Sequence, residues 1–153
     1  VICGHGKLNE YLHELVRTLH IEHKVTFLGY REDMLEILQI ADLFLFPSYQ
    51  EGLPMSLLEA MASGLPVVCS DIRGSRDLMG PVLKELPDQK QCAGGIMIKQ
   101  ADNTDGYVQA LQTLLNTVPE LKQLGQQNVL RSNKFSIQAV SGIMQPIYQR
   151  LLS

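Results

Sequence analysis

No run of about eighteen apolar residues occurs in the 153-residue sequence, which excludes a membrane-spanning helix. No basic-then-apolar leader opens it, and no signal peptide is read. There is no basic excess. The formal net charge is −3, so no nucleic-acid partner is expected. Cysteine is scarce: Cys3, Cys69 and Cys92 have no C-x-x-C spacing, which argues against a metal or redox site and suits buried free thiols in a reducing compartment. The P-loop pattern G-x-x-x-x-G-K-[ST] is missing, as is the G-x-S-x-G nucleophile elbow. No Asp-x-Asp pair suggests a metal-bound sugar nucleotide; Asp102 and Asp105 read as residues of a helix start. Gly4-x-Gly6 begins a dinucleotide fingerprint, but its third glycine would fall at Asn9 and its acid at Gly29. A nicotinamide dehydrogenase is therefore disfavoured, and the two glycines read as a tight turn.

What is present is a globular composition, 45% hydrophobic and 19% charged, in a length that suits one domain with a core. The first residues, Val1-Ile2-Cys3, read as the end of a buried strand, so a piece of a longer protein is expected. The apolar positions Leu8, Tyr11, Leu12, Leu15, Val16 and Leu19 share one helical face. Val25 to Leu28 is a strand stopped by Gly29, and a helix opens near Arg31 to Asp33. Leu43 to Phe46 is a strand stopped by Pro47. Pro54 fits the first turn of the next helix, and Gly64 its C-terminal cap. A strand follows over Pro66 to Cys69, then a loop and short helix from Asp71 to Met79. Gly80 to Gly95, with Pro81 and Pro87, reads as irregular. Gly95 to Lys99 is the last strand. Helices then carry Tyr107, Val108, Leu111, Leu114 and Leu115 on one stripe, and Leu121 and Leu124 on another. Thr117 to Glu120 has capping-box spacing. Ile137, Val140, Met144, Ile147, Tyr148 and Leu151 stripe a final helix that Pro146 should kink. The apolar stripes are read as core.

The five strands are unbroken apolar runs alternating with helices. That pattern predicts a doubly wound, Rossmann-like α/β domain: a parallel sheet with helices on both faces. Right-handed crossovers should bring the loops Gly4–Gly6, Gly29–Arg31, Ser48–Pro54 and Asp71–Ser75 to one edge. Ligands bind at that edge in such sheets.

The loop Tyr49-Gln50-Glu51-Gly52 and the helix behind it carry the chemistry. Gly52 admits a close backbone approach. The helix start leaves the N–H groups of Met55, Ser56 and Leu57 unpaired, a ready place for phosphate. Glu51 can accept from hydroxyls on a group attached to that phosphate, and Glu59 from both hydroxyls of a ribose. A phosphate between a sugar and a ribose describes a sugar nucleotide. Arg73 and Arg76 read as solvated, while His5 and Lys7 follow the first strand.

The segment VTFLGYREDMLEILQIADLFLFPSYQEGLPMSLLEAMASGLPVVCSD resembles the C-terminal domain of the retaining glycosyltransferases of GT-B fold (family 4, group 1). Its hallmark is Glu-x7-Glu, here Glu51 and Glu59, followed by EAMASGLPVV, and the likeness runs from Val1 to Ser153. The DIRGSRD form is similar to enzymes of exopolysaccharide or capsule assembly. The resemblance implies that Glu51 is the catalytic carboxylate at the donor sugar and that Glu59 meets the ribose. It implies that Gly52, Leu53 and the amides near Pro54, Met55 and Ser56 line the phosphates. It places Tyr30 and Arg31 by the base, with Gly4 and Gly6 at the same edge. It implies no metal and no cofactor beyond the nucleotide sugar as substrate. The expected partner is an N-terminal acceptor domain, absent from these residues together with the sheet's first strand and the family's basic Arg/Lys loop. Oligomers formed through the open strand edges are expected, as is no turnover by these residues alone. The implied location is cytoplasmic, with peripheral contact at the inner membrane face for a lipid acceptor. A non-catalytic nucleotide-binding module and a GT-B-fold nucleotide-sugar epimerase are the alternatives.

Overall fold

The computed structural model describes residues 1–152, and for residues 118–120 the backbone alone. The chain divides into two compact units, Val1–Ile37 and Leu38–Ser153. In the first, β1 (Ile2–Cys3) pairs in parallel with β2 (Phe27–Gly29), and α1 (Asn9–Thr18) connects them. Gly4 and Gly29 take positive φ, and the Gly4 N–H donates to the Gly29 carbonyl at 2.7 Å. His13 stacks on Phe27, with ring centroids 3.9 Å apart. After α2 (Met34–Gln39) the second unit builds a five-stranded sheet in the order β3-β4-β7-β6-β5.

In that sheet β3 (Phe44–Phe46), β4 (Val67–Ser70) and β7 (Gly95–Ile98) are parallel. Helices cover both faces. Val67, Cys69 and Met97 pack with Leu57 and Met61 of α3 (Met55–Ala62) and with Leu78 and Met79 of α4 (Arg73–Met79). Val68, Ile96 and Ile98 pack on the other side with Tyr107, Ala110 and Leu114 of α5 (Thr104–Leu115) and Leu121 of α6 (Val118–Ser132). Alternate residues of one strand feed opposite cores, as strand geometry requires. This is why β4 and β7 read as unbroken apolar runs rather than alternating ones.

Three expectations need correction. The five strands read from the sequence do not form one sheet: β1 and β2 pair with each other in a sheet of their own. The stretch from Gly80 to Gly95 is not irregular. It holds an antiparallel hairpin, β5 (Val82–Glu85) and β6 (Gln89–Cys92), and β6 runs antiparallel to β7. Its prolines, Pro81 and Pro87, sit outside the strands, where no ladder N–H is needed. Gln89, Lys90 and Gln91 of β6 are half-buried, and Lys99 is tied to Glu85 of β5 at 2.8 Å. Thirdly, the stripe on α7 (Ile137–Leu152) is not core, because no residue of that helix is buried. The stripe on α5 is also rotated: Tyr107, Ala110 and Leu114 are buried while Val108 and Leu115 are exposed.

The caps are local. Gly64 follows α3 with φ +81°, the Leu65 N–H reaches the Ala60 carbonyl, and the Gly64 N–H reaches that of Met61. That pair of bonds is a Schellman closure. The buried Asn128 of α6 then braces the exit by donating to the carbonyls of Leu65 at 2.8 Å and Gly94 at 3.0 Å. Thr117 makes no capping-box bond; its hydroxyl donates back toward the carbonyls of Thr113 and Leu114, and Glu120 lies outside the described side chains. Asn103, rather than Asp102 or Asp105, caps α5 by accepting from the Gly106 N–H at 3.0 Å.

Candidate functional site

The site lies where β3 and β4 end, inside the second unit. Pro47 stops β3 and the chain crosses a short loop to α3. Pro54 is the N-cap of α3, with ψ 103°, one position earlier than the first-turn placement read from the sequence. Its carbonyl accepts the first intrahelical bond, from the Leu58 N–H at 3.1 Å. The N–H groups of Met55, Ser56 and Leu57 therefore have no helical acceptor and form the positive end of the helix. Pro54 is buried, whereas Gly52, Leu53, Met55 and Ser56 are exposed, so the loop and the first turn are open to a ligand.

Glu51 is half-buried and its Oε1 accepts from the Ser48 hydroxyl at 2.9 Å. The fully buried Ser70, at the end of β4, donates to the Ser48 carbonyl and lies 3.4 Å from that of Phe46. Gly74 of α4 closes the loop from the other side: a Cβ there would fall 2.2 Å from the Gly52 carbonyl oxygen and 3.0 Å from that of Glu51. Glu59, in the second turn of α3, is exposed.

Two of the four expected loops therefore meet in this unit, Ser48–Pro54 with Asp71–Ser75. The other two, Gly4–Gly6 and Gly29–Arg31, meet in the first unit through the Gly4–Gly29 bond. Tyr30 is exposed there. Arg31 is engaged by Asp33, with Nε to Oδ1 at 2.7 Å and a second bond at 2.5 Å. That fork raises the guanidinium pKa and lowers the Asp33 carboxyl.

A charged cluster gathers Asp71 after β4, Arg76 of α4 and Lys90 of β6. Asp71, its side chain 4% exposed, accepts from Arg76 at 2.5 Å and Lys90 at 2.7 Å. Burial pushes its pKa up, but the Arg76 and Lys90 bonds and charges outweigh that and hold it below the usual carboxylate value. Arg76 is thus paired, not freely solvated as its sequence context suggested. Because the folded pKa is depressed, this contribution is present above the unfolded value and is lost as pH falls through the lower folded one. Acid unfolding should therefore steepen below about pH 4, and Asp71→Asn should flatten that limb while costing about 1–3 kcal/mol at pH 7. Melts between pH 2 and pH 7 check this.

Sequence reading missed Ser48, Ser70, Gly74 and the Asp71–Lys90 pair. Ser48 and Ser70 act through neighbours across a turn and a strand pair, contacts that no spacing announces. Lys90 lay in the run read as irregular. All three cysteines are free thiols; Cys69 and Cys92 are buried, pushed by burial to about 12 and about 11, whereas Cys3, expected to be buried, is only partly so. Among the described residues no cluster could hold a metal ion, and no helix is long and apolar enough to cross a membrane.

The architecture is that of GT-B glycosyltransferases. The structure of Staphylococcus aureus TarM superposes with a TM-score of 0.81 at 21% identity, covering 96% of this chain and 28% of that one. A model of the glycosyl transferases group 1 matches residues 1–129, and the chain belongs to that family. An uncharacterized glycosyltransferase of Haemophilus influenzae is 30% identical over 139 residues, 91% of this chain. The chain spans 36% of that protein's length. The UDP-Gal:alpha-D-GlcNAc-diphosphoundecaprenol alpha-1,3-galactosyltransferase of Escherichia coli is 36% identical over 80 residues, 52% of this chain and 21% of its own length.

Proposed function

We propose that this chain holds the donor, a nucleoside diphosphate sugar, for an enzyme that moves the sugar to an acceptor hydroxyl with retention, in polysaccharide assembly. The observation that carries the reading is the Glu51 carboxylate held by Ser48 in the loop that leads into the uncapped amides opening α3. In this proposal the diphosphate sits against the amides of Met55 and Ser56, with the backbone of Gly52, Leu53 and Pro54 around it. Glu51 takes the donor sugar and Glu59 the ribose. As the bond from the anomeric carbon to the diphosphate breaks, charge grows on the leaving oxygens, and preorganised N–H dipoles stabilise it where it grows. A metal or further cofactor has no part in the step so written.

Gly4, Gly6, Tyr30 and Arg31 remain assigned to the donor in this proposal, on the family likeness alone. The acceptor side is assigned to a separate domain, since the Haemophilus influenzae relative is about two and a half times as long, and these residues alone are expected not to turn donor over. The name of the Escherichia coli relative pairs UDP-Gal with an undecaprenol-linked acceptor. A similar acceptor would place this enzyme at the inner face of the cytoplasmic membrane.

The test is a titration of the chain with UDP and with 2′-deoxy-UDP. Glu59→Ala should weaken UDP binding about tenfold or more, the worth of charge-assisted hydrogen bonds, and should abolish any preference for the ribose form. Unchanged UDP affinity in Glu59→Ala would remove Glu59 from the site.

A further inference from the structure

We infer that Ser48 and Ser70 are positioning residues that set which oxygen of Glu51 meets the sugar. The inference rests on the donor-site reading of Glu51. A glutamate in a loop has freely rotating side-chain torsions, and ordering them on a ligand costs rotamer entropy. Here that order exists beforehand. The Ser48 hydroxyl gives its one proton to Oε1 of Glu51 at 2.9 Å, closer than its alternative acceptor, the Gln50 carbonyl at 3.5 Å. Oε1 is thereby engaged, and Oε2 is the oxygen turned over to a ligand.

A tether is only as good as its anchor, and Ser48 lies in the loop itself. Its anchor is Ser70. That residue has no exposed surface, ends a central strand buried along its length, and donates to the Ser48 carbonyl. The relay therefore runs from the rigid sheet through one backbone carbonyl and one hydroxyl to the carboxylate. Gly74 presses the same loop from α4 by backbone contact alone. Sites held to productive geometry by supporting hydrogen bonds lose recognition when those supports go, although no contact to the ligand is removed.

The two serines should leave different signatures. Ser48→Ala frees the Glu51 side chain but keeps the loop backbone. Ser70→Ala leaves the half-buried Ser48 carbonyl without that donor and loosens the loop as a whole.

The experiment compares UDP, UDP-glucose and UDP-galactose binding to the chain, with melting temperature as a control. For the wild type, one sugar nucleotide should bind more tightly than UDP. Ser48→Ala should cut that sugar-dependent gain about five- to tenfold, with UDP affinity moving less than twofold and the melting temperature nearly unchanged. Ser48→Thr, which keeps a hydroxyl, should restore it. Ser70→Ala should lower the gain and the melting temperature together. A full sugar gain in folded Ser48→Ala overturns the inference while leaving the donor-site reading intact. Equal loss of UDP and sugar nucleotide also overturns it, because that is the mark of general loop damage. Wild-type chain that binds UDP without any sugar gain, or binds no UDP, overturns the role of Glu51 and this inference with it.

Discussion

Replacing Glu51 with Ala is expected to erase the sugar-dependent part of donor binding and to lower transfer by the complete enzyme at least a hundredfold. A carboxylate that accepts two sugar hydroxyls contributes about 1.5–3 kcal/mol through each bond, which is a hundredfold or more for the pair. The substitution also leaves the Ser48 hydroxyl without its acceptor. UDP itself should still bind, because the amides opening α3 and the Glu59 carboxylate are untouched. Glu51→Gln separates shape from charge. It keeps an acceptor for Ser48 but loses the ionised oxygen, and it should recover less than a tenth of the lost transfer. Calorimetry with UDP and UDP-galactose, beside turnover assays of the complete enzyme, reads both effects. Wild-type transfer by Glu51→Ala would end the catalytic assignment.

Gly74→Ala should be nearly as damaging, for a reason remote from chemistry. The added methyl would lie 2.2 Å from the Gly52 carbonyl oxygen and 3.0 Å from Pro54 Cδ. Both neighbours belong to the backbone or a proline ring, so no side chain can swing away. Either α4 or the loop must move, and α4 is held by Leu78 and Met79, which are fully buried. The loop should yield, displacing Gly52, Glu51 and the first turn of α3 together. We expect about 1–3 kcal/mol lost in stability, the usual cost of overpacking, and at least a tenfold loss of UDP affinity. Because the phosphate-facing turn moves as well, UDP and sugar nucleotide should suffer alike. That distinguishes Gly74 from Ser48, whose loss should be confined to the sugar.

The sequence was informative wherever local physics decides. Apolar runs in β3, β4 and β7 announce parallel strands, of which β4 and β7 are buried on both faces. Gly64 marks the end of α3 by its positive φ, and Pro54 its beginning to within one residue. The placement of Glu51 before that helix and Glu59 within it follows directly. Where long-range pairing decides, sequence reading failed. Val82 to Cys92 alternates weakly and carries Lys84, Glu85, Gln89, Lys90 and Gln91, so its strands are visible only once β7 offers a partner. The tie from Ser70 to Ser48 spans 22 positions and depends on the register of β3 against β4. The Lys90–Asp71 pair, 19 positions apart, forms only through the sheet, whereas the Arg76–Asp71 pair is a contact across five positions that sequence reading missed. On α7, helical periodicity foretold the apolar stripe correctly but not whether anything covers it.

The central claim is that a nucleoside diphosphate binds where α3 begins, and backbone amide resonances test it most directly. On adding UDP, the largest shifts in a ¹⁵N-labelled chain should fall on Gly52, Met55, Ser56 and Leu57, with Glu59 following and the α5–α6 side of the sheet unmoved. UDP-galactose should add a further shift at Glu51. Saturable binding with its largest shifts elsewhere, or no shift at Met55 to Leu57 at millimolar UDP, would contradict the account.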